Sequence, residues 1–287
     1  MSDINDEISK VVNEFGEHIY HYTSVKALFG ILKNKEFWWG NTASMNDRNE
    51  LLEFVGRIED CIRTDFSIKS KERCDEFCSL LSRQVINEFP FAMCFSAREE
   101  DASQWERYAD RASGVYIKMN TAAVYEIFRS CNVVFNSVYY DFDIRHHEYY
   151  KVLAEYFESG EIKGISGVDG VEGLVTNILA NAPAYKNQSF WTECERRIYT
   201  MAGTEFCKSA EAYRLGFESK DNSIRMILKI RYDRLCEMAG IKIDSLFEEI
   251  VIGPRSVQNI DELKSFCKFM GFPRLAEHIR VSTCPLR

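Results

Sequence analysis

Residues 191–201 read Trp-Thr-Glu-Cys-Glu-Arg-Arg-Ile-Tyr-Thr-Met, and this stretch decides the fold. Its second half is rich in apolar and β-branched side chains, which predicts a short buried strand over 197–201. Its first half places Glu193 and Glu195 directly before that strand. Two interpretations of these carboxylates are open. They form a solvated ion-pair rim with the adjacent arginines, or they are held where a substrate hydroxyl or a cationic transition state is stabilised.

Short apolar runs of the same kind recur along the chain, between segments with helical periodicity. The predicted strands are 18–22, 37–39, 91–95, 115–119, 133–139, 197–201, 226–230, 247–252 and 279–281. The predicted helices are 4–15, a helix capped by Thr23 or Ser24 that continues through Leu32, 101–110, 145–159, 171–181 and 259–269, and a charged helical pattern fills 47–89. Because the strands are short and the helices cluster instead of alternating regularly with them, we predict the α+β class.

The composition predicts one compact domain. The 287 residues are 46% hydrophobic, and the 15 Gly and 5 Pro are too scattered to form a disordered linker. We divide the chain into an N-terminal helix at 1–17 and a single α+β domain at 18–287, with helical insertions near 47–89 and 145–181. No Gly-rich phosphate loop follows a predicted strand, so a Rossmann or P-loop site is not supported.

Charge and cysteine usage limit the functional classes. The formal net charge of -8 repels a phosphate backbone, which argues against non-specific duplex binding as the main activity. The ten cysteines are scattered singly, without zinc-like spacing, so we predict reduced thiols and no metal site. No apolar run approaches the roughly 20 residues of a membrane span, and the first residues are acidic instead of signal-like. We therefore expect a cytoplasmic protein that does not enter membranes.

Four polar motifs lie at the ends of predicted strands. They are 18–23 (His-Ile-Tyr-His-Tyr-Thr), 44–50 (Ser-Met-Asn-Asp-Arg-Asn-Glu), Phe95-Ser96 followed by 104–110 (Gln-Trp-Glu-Arg-Tyr-Ala-Asp), and 190–197 (Phe-Trp-Thr-Glu-Cys-Glu-Arg-Arg). Each also has a purely structural explanation. In the order of the motifs, these explanations are a histidine at the edge of the core, an Asx turn or helix cap, an aromatic helix face inside the core, and the ion-pair rim.

Taken in order, the motifs resemble the bacterial domain-of-unknown-function family 2971, from about Tyr20 to Arg287. The matching pieces are His21-Tyr22-Thr23, Asn46-Asp47, Cys94-Phe95-Ser96, Trp105 with Tyr108-Ala109, Gly114-Val115, Trp191 with Glu193 and Glu195-Arg196, Ile252-Gly253-Pro254, and a terminal Ser-x-x-x-x-Arg. The sequence departs from the family pattern Asn-Asp-Pro-Phe-Glu, because Arg48 and Asn49 stand in place of Pro and Phe.

The layout of this family looks like the ADP-ribosyltransferase fold of the His-Tyr-Glu type. The resemblance implies a split β-sheet core with helical insertions and NAD as the substrate. In that fold an early His binds the adenosine ribose of NAD, an aromatic ring packs against nicotinamide, and a late Glu contacts the nicotinamide ribose. By motif, these roles fall to His21, Tyr108 and Glu195, and Tyr22 and Tyr116 compete with Tyr108 for the second role.

The resemblance also suggests the remaining members of the site. The NAD-binding set includes Thr23, next to Tyr22. Arg196 or Arg111 meets the pyrophosphate bidentately. Glu193 lies where it would deprotonate an acceptor nucleophile.

We therefore expect an NAD-consuming, ADP-ribosyltransferase-like enzyme that transfers ADP-ribose to a protein or nucleic acid, or hydrolyses NAD. A role as a bacterial toxin or anti-phage defence effector, under a regulatory protein partner, would fit such an enzyme. Two alternatives remain open. One is a non-catalytic sensor or interaction module, in which the motifs only cap helices and pair strands. The other is a metal-dependent nuclease built on Asp47, Glu50, Glu193 and Glu195.

Overall fold

The computed structural model describes residues 2–42, 48–85, 90–163, 169–201, 204–220 and 222–286. The helices are α1 Ser2–Phe15, α2 Val25–Asn34, α3 Arg48–Phe66, α4 Lys71–Val85, α5 Ala102–Tyr108, α6 Thr121–Phe128, α7 Glu148–Ser159, α8 Gly170–Leu179, α9 Tyr232–Ala239, α10 Ile260–Phe269 and α11 Pro273–Glu277. The strands are β1 His18–Thr23, β2 Glu36–Asn41, β3 Phe91–Ser96, β4 Val115–Asn120, β5 Val134–Ser137, β6 Glu195–Thr200, β7 Tyr213–Lys220, β8 Ser223–Arg231, β9 Phe247–Ile252 and β10 Ile279–Val281.

These strands form one open, mixed sheet. Its main path runs β10-β9-β4-β1-β3-β2-β8-β7, and β6 pairs with β3 and carries β5 on its other side. The β9–β10 pair is parallel, whereas the other strand pairs are antiparallel. The predicted α+β class is therefore confirmed.

The sheet forks along one edge of β3. On that edge Ala92 pairs with Gly40 of β2, whereas Ser96 pairs with Tyr20 of β1. Strand β6 pairs with β3 along the opposite edge, from Phe91 to Ser96. The two branches of the sheet thus separate at the middle of β3, with β1 leading one branch and β2 the other.

Hydrophobic packing covers both faces of the sheet. The largest cluster lies on the face that carries Ile19, Phe95 and Ile198, and it packs residues of α2, α6, α9 and α10 against the strands. On the other face, Trp105 of α5 packs against Tyr22 and Tyr116. Helices α3, α4, α7 and α8 share a separate hydrophobic cluster, which we call the helical cluster.

Two glycines of the sequence motifs sit where backbones meet closely. A Cβ added to Gly114 would lie 2.2 Å from the Thr23 carbonyl oxygen, and one added to Gly253 would lie 2.3 Å from that of Ala112. Between α5 and β4, residues 110–112 have φ values of 51°, 54° and 66°, a left-handed turn that costs about 1–2 kcal/mol per residue. Close packing against Gly253 holds this turn in place, so the Gly-Val and Ile-Gly-Pro motifs have a structural cause.

Most of the predicted elements are confirmed. Strands 18–22, 91–95, 115–119 and 247–252 match β1, β3, β4 and β9 within one residue at each end. Ser24, one of the two proposed caps, accepts a hydrogen bond from Ala27 N at the start of α2. Strand β7 and helices α6, α9 and α11 were not predicted. Asn46 and Asp47, with most of the second motif, lie outside the described residues.

All ten cysteines are free thiols, as predicted. Burial raises the pKa of several of these thiols, for Cys236 and Cys267 to about 12, so they behave as small apolar side chains. Within the described ranges no helix combines the length and apolar character that a membrane crossing requires.

Candidate active site

Five charged side chains converge on the face of the sheet beneath α5. They are Glu50 of α3, Lys186, Glu193, and Glu195 and Arg197 of β6, and we call them the buried ion cluster. Lys186 Nζ lies 2.7 Å from Glu193 Oε2, 2.9 Å from Glu195 Oε2 and 3.7 Å from Glu50 Oε1. One lysine thus joins three carboxylates that come from separate elements of the fold.

Arg197 holds the other side of the cluster. Its Nε donates to Glu195 Oε1 at 2.8 Å and its Nη2 donates to Glu195 Oε2 at 3.1 Å, a bidentate pair. The same Nη2 donates to Glu50 Oε2 at 3.2 Å, and Nη1 donates to the Pro183 carbonyl at 2.8 Å. Glu193 and Glu195 are only 1% and 7% exposed, so the interpretation of these carboxylates as a solvated rim is wrong.

The backbone around the two carboxylates is fixed from several sides. The Glu193 carbonyl accepts from Ser96 Oγ at 3.1 Å and from Gln104 Nε2 at 3.3 Å. Cys194 has a left-handed φ of 45°, which turns the chain from a short 3₁₀ helix at Gln188–Glu193 into β6. This turn brings Glu193 and Glu195 together around Lys186, although two-residue spacing on a straight strand would hold them further apart.

The charges of the cluster hold Glu195 in its ionised form. Burial alone would raise the pKa of Glu195, but the positive charges of Arg197 and Lys186 outweigh it and lower the pKa to about 2. Burial would likewise lower the pKa of Lys186, but the neighbouring carboxylates, Glu195 foremost, raise it. The cluster thus combines three acidic and two basic side chains, and Arg107, which contacts Glu193 Oε1, adds a third basic side chain at its rim.

Exposed side chains lie over the cluster and form its rim. Tyr108, at the end of α5, donates its hydroxyl to Glu193 Oε1 at 3.0 Å, and Arg107 Nη1 donates to the same oxygen at 2.8 Å. The Phe190 ring lies 5.7 Å from the Arg107 guanidinium and 5.2 Å from Lys186 Nζ. Tyr108 is 45% exposed, so its ring offers planar aromatic surface to a ligand next to the Glu193 carboxylate, and Trp191, two residues before Glu193 in the chain, is 58% exposed.

Among the three tyrosines proposed to contact nicotinamide, Tyr108 alone reaches the surface. Tyr22 and Tyr116 are buried in the aromatic cluster under α5. The Tyr22 hydroxyl donates to the Arg98 carbonyl and accepts from Asp101 N, and the Tyr116 hydroxyl donates to Glu99. Tyr22 and Tyr116 are therefore part of the core, and Tyr108 is the candidate that geometry retains.

His21 and Arg196 project from the opposite face of the sheet. Tyr20, Ser96 and Glu195 are cross-strand partners and share one face, so His21 lies on the other, where its ring contacts Phe95. Arg196 pairs with Phe95 and shares that second face. The strand register therefore places His21 and Glu195 on opposite faces of the sheet. His21, a tyrosine and Glu195 do not line one cleft, although this had been expected.

His21 fills the fork in the sheet. Its Nδ1 lies 3.1 Å from the Cys94 carbonyl oxygen, at the point of β3 where neither β1 nor β2 pairs. A carbonyl oxygen only accepts, so Nδ1 carries the hydrogen and donates. Burial lowers the pKa of His21 and keeps the ring neutral at pH 7. The structural explanation, a histidine bonded at the core edge, matches this geometry.

The remaining proposed binding residues are dispersed. Thr23 is buried on the His21 face, and its carbonyl packs against Gly114. Arg111 is exposed in the left-handed turn, where its carbonyl accepts from Arg255 Nη1 at 3.3 Å. Neither residue contacts the buried ion cluster through any bond observed in the described ranges.

In the part of the chain that the structure describes, no group of three or more His, Cys, Asp or Glu is placed to hold a metal ion. The carboxylates proposed for a nuclease, Glu50, Glu193 and Glu195, close around Lys186 instead. The fourth, Asp47, lies outside the described residues.

A second polar network ties down the C-terminal strand. Arg280 of β10 donates to Glu249 at 2.8 Å, to Glu100 at 2.6 Å and to Glu99 at 2.9 Å. Ser282, the serine of the terminal motif, donates to Glu100 as well. All of these contacts join elements of the chain to one another, so we treat this network as structural.

Sequence reasoning missed Lys186, the centre of the cluster, and Arg107 at its rim, and it considered the pairing of Glu195 with an adjacent arginine only as a solvated one. Lys186 follows the apolar stretch Ala182-Pro183-Ala184-Tyr185, and a lone charge at the end of such a run is a signal that it is paired inside the fold. Its partners could not be assigned in the same way, because they depend on the sheet register.

The family described as "Protein of unknown function (DUF2971)" matches residues 104–198. The matched range is shorter than the expected Tyr20–Arg287. It nevertheless includes every member of the buried ion cluster except Glu50, together with Arg107, Tyr108 and Phe190 of its rim. No curated protein and no solved structure matches the chain. The chain is thus similar to this family over the segment that builds the candidate site.

Proposed function

We propose that this protein is an NAD-consuming, ADP-ribosyltransferase-like enzyme whose reacting centre is the buried ion cluster beneath Tyr108. One observation carries the proposal. Glu195 is buried yet held ionised, in a cluster where three carboxylates face two buried cations.

The chemistry explains why such a cluster is useful. When the bond between nicotinamide and ribose breaks, its electron pair leaves with the nicotinamide nitrogen and positive charge develops on the sugar. A carboxylate fixed in a buried setting stabilises that charge without reorganising, because Lys186 and Arg197 already hold Glu195 in place. A carboxylate has the charge sign that this transition state requires.

The rim residues supply binding and orientation in this proposal. The rings of Tyr108 and Trp191 offer faces on which nicotinamide packs. Glu193 acts as a positioning residue, because its Oε1 holds Tyr108 and Arg107 while its Oε2 faces Lys186. This role replaces the expectation that Glu193 deprotonates the acceptor. The adenosine-ribose role expected for His21 is left out, because His21 lies on the other face of the sheet.

Nicotinamide release measures the proposed reaction directly. The full chain is incubated with NAD, alone and with protein or nucleic-acid acceptors, and nicotinamide is quantified by chromatography. We expect release by the wild type and a loss of about 10²-fold or more in Glu195→Gln. Glu158→Gln, at an exposed position of α7, is the matched control and should retain the wild-type rate. Absence of release with every acceptor, or equal release from Glu195→Gln, would refute the proposal.

Two variants of Tyr108 separate ring packing from hydrogen bonding. Tyr108→Phe keeps the ring and loses only the bond to Glu193, so we expect KM to change little. Tyr108→Ala removes the ring, and KM for NAD should rise by roughly 10-fold or more. Equal KM values in the two variants would show that the ring does not contact NAD.

A cytoplasmic toxin or defence role, with a restraining protein partner, is a further part of the proposal. Expression of the wild type in bacteria should then lower cellular NAD and arrest growth, and Glu195→Gln should abolish both effects. Growth arrest that persists in Glu195→Gln without NAD loss would separate toxicity from this chemistry.

A non-catalytic interaction module is the second candidate, and one specific observation favours it. Each oxygen of Glu193 and Glu195 already contacts a positively charged group, as in an ion network that only stabilises the fold. If the protein is such a module, adding NAD should not change its melting temperature. Glu195→Gln should then change the stability of the fold and no enzymatic rate.

A further inference from the structure

We propose that two copies of this chain pair through strand β7, antiparallel and in the register that sets Arg214 of each copy opposite Glu218 of the other. This inference does not depend on the proposed NAD chemistry. It rests on an open sheet edge, an exposed apolar face and a self-complementary charge pattern.

Strand β7 is an unpaired edge of the sheet. It ends the path β10-β9-β4-β1-β3-β2-β8-β7 and pairs with β8 alone within the described residues. Its eight residues therefore present a row of outward N–H and C=O groups, which is a template for another strand. Natural edges of this kind are usually short, bulged or covered, whereas the β7–β8 register runs without interruption from Tyr213↔Ile230 to Lys220↔Ser223.

One face of the β7–β8 hairpin is apolar and exposed. Leu215 and Phe217 of β7 are 63% and 67% exposed, and they share a face with Met226 and Ile224 of β8. This face continues the buried core face that includes Leu228 and Ile230. Four neighbouring apolar side chains left in water at the sheet edge indicate a surface that another protein contacts.

The opposite face of β7 has charges of both signs at matching distances from Gly216. Arg214 lies two residues before this glycine and Glu218 two residues after it. A two-fold axis through the Gly216 pair therefore sets Arg214 opposite Glu218 twice, and Leu215 opposite Phe217 twice. Directly opposite cross-strand pairs of unlike charge stabilise a sheet.

Other registers lose this complementarity. A shift by one residue would oppose apolar to charged positions, because side chains alternate between faces. A two-fold axis at Leu215 would set Arg214 opposite Gly216, and an axis at Phe217 would set Leu215 opposite Ser219. Of the three axes at successive residues 215, 216 and 217, only the axis at Gly216 pairs both charges and both apolar side chains.

The surroundings of Arg214 favour an acidic partner on its outer side. Within the chain Arg214 lies opposite Lys229, a like charge, and its Nη2 donates to Glu36 Oε1 at 2.7 Å. Its side chain is nevertheless mostly exposed. A Glu218 from a second copy would add a carboxylate on the open side.

Mixing two charge-reversed variants of the full chain tests both the dimer and its register. Sedimentation velocity over a dilution series should find the wild type as a dimer that dissociates on dilution. Glu218→Arg and Arg214→Glu should each be monomeric at concentrations where the wild type is dimeric, because like charges then face one another. An equimolar mixture of the two variants should form a dimer, since the carboxylate introduced by one substitution then faces the guanidinium introduced by the other.

Each control has a defined outcome. Glu158→Arg reverses an exposed charge on α7 and should stay dimeric. Because Arg214→Glu places a carboxylate near Glu36, its melting curve is compared with that of Glu218→Arg, which leaves that contact intact. A wild type that is monomeric throughout, single variants that remain dimeric, or a mixture that stays monomeric would each overturn the proposal.

Discussion

At the scale of single residues, the buried ion cluster depends on Lys186. Its ammonium contacts Glu50, Glu193 and Glu195, and it is the cation that all three carboxylates share. Replacement by methionine keeps the length of the side chain but leaves buried carboxylates without this charge. We expect Lys186→Met to lower the free energy of unfolding by about 3–5 kcal/mol, measured by urea denaturation.

The matched control for this variant is Lys163→Met. Lys163 also pairs with a glutamate, Glu161, but both side chains are exposed. Water can solvate the carboxylate that remains, so the denaturation midpoint should not move. A similar loss of stability in both variants would contradict the buried character of the cluster.

The pKa of Glu195 predicts how stability depends on pH. Its folded value of about 2 lies below the ordinary value of 4.5, so its stabilisation is complete above pH 4.5 and is lost as pH falls towards 2. A difference of this size corresponds to on the order of 3 kcal/mol. Glu195→Gln should therefore be less stable at neutral pH and should lose less stability than the wild type between pH 4.5 and 2.

Denaturant titrations at several pH values measure this difference. The curves of the wild type and Glu195→Gln should converge as pH falls through that window. Parallel curves would mean that Glu195 is not held ionised by Arg197 and Lys186.

At the scale of elements, close backbone contacts depend on Gly253. Alanine at this position would place its Cβ 2.3 Å from the Ala112 carbonyl oxygen, where backbone atoms on both sides must shift. We expect Gly253→Ala to lower stability by about 1–3 kcal/mol or more, read from thermal or urea unfolding.

At Gly30 we expect the same substitution to have the opposite effect on stability. It lies inside α2, and a Cβ there would meet nothing within 4 Å. Because alanine favours helix over glycine by up to about 1 kcal/mol, Gly30→Ala should leave stability unchanged or raise it. Destabilisation of equal size by both substitutions would argue against the close approach at Gly253.

The elements found from sequence were those with a local signal. β3 and β9 are short apolar runs, and α2 begins at a serine cap. β7 was missed because Tyr-Arg-Leu-Gly-Phe-Glu-Ser-Lys contains charges and a glycine, as an exposed edge strand permits. The ion pairs of the site were harder to predict, because Arg197 and its partner Glu50 are 147 residues apart in the sequence. Only the sheet register and the packing of α3 bring such residues together.

The predicted site residues illustrate the same limit. The motif pattern selected Glu193, Glu195 and Tyr108, which the structure brings together at Glu193 Oε1 and Lys186. It also selected His21, which strand register places on the other face. A one-residue step along a strand reverses the face, and motif order contains no information on that step.

At the scale of the whole molecule, Glu50 of α3 joins the helical cluster to the sheet. Glu50 contacts Lys186 and also Arg197 of β6. We expect Glu50→Gln to weaken this connection by roughly 1–3 kcal/mol. Amide hydrogen exchange in α3 and α4 should then become faster than in β3 and β6, whereas a uniform change across both regions would contradict the connection.

The most direct test of the proposed active site is a crystal structure of the full chain with a non-hydrolysable NAD analogue. We expect the nicotinamide ring to pack against Tyr108 or Trp191, with its ribose next to Glu195 and the buried ion cluster unchanged beneath it. An analogue bound elsewhere, or a cluster that remains covered with no analogue at the rim under saturating conditions, would contradict it.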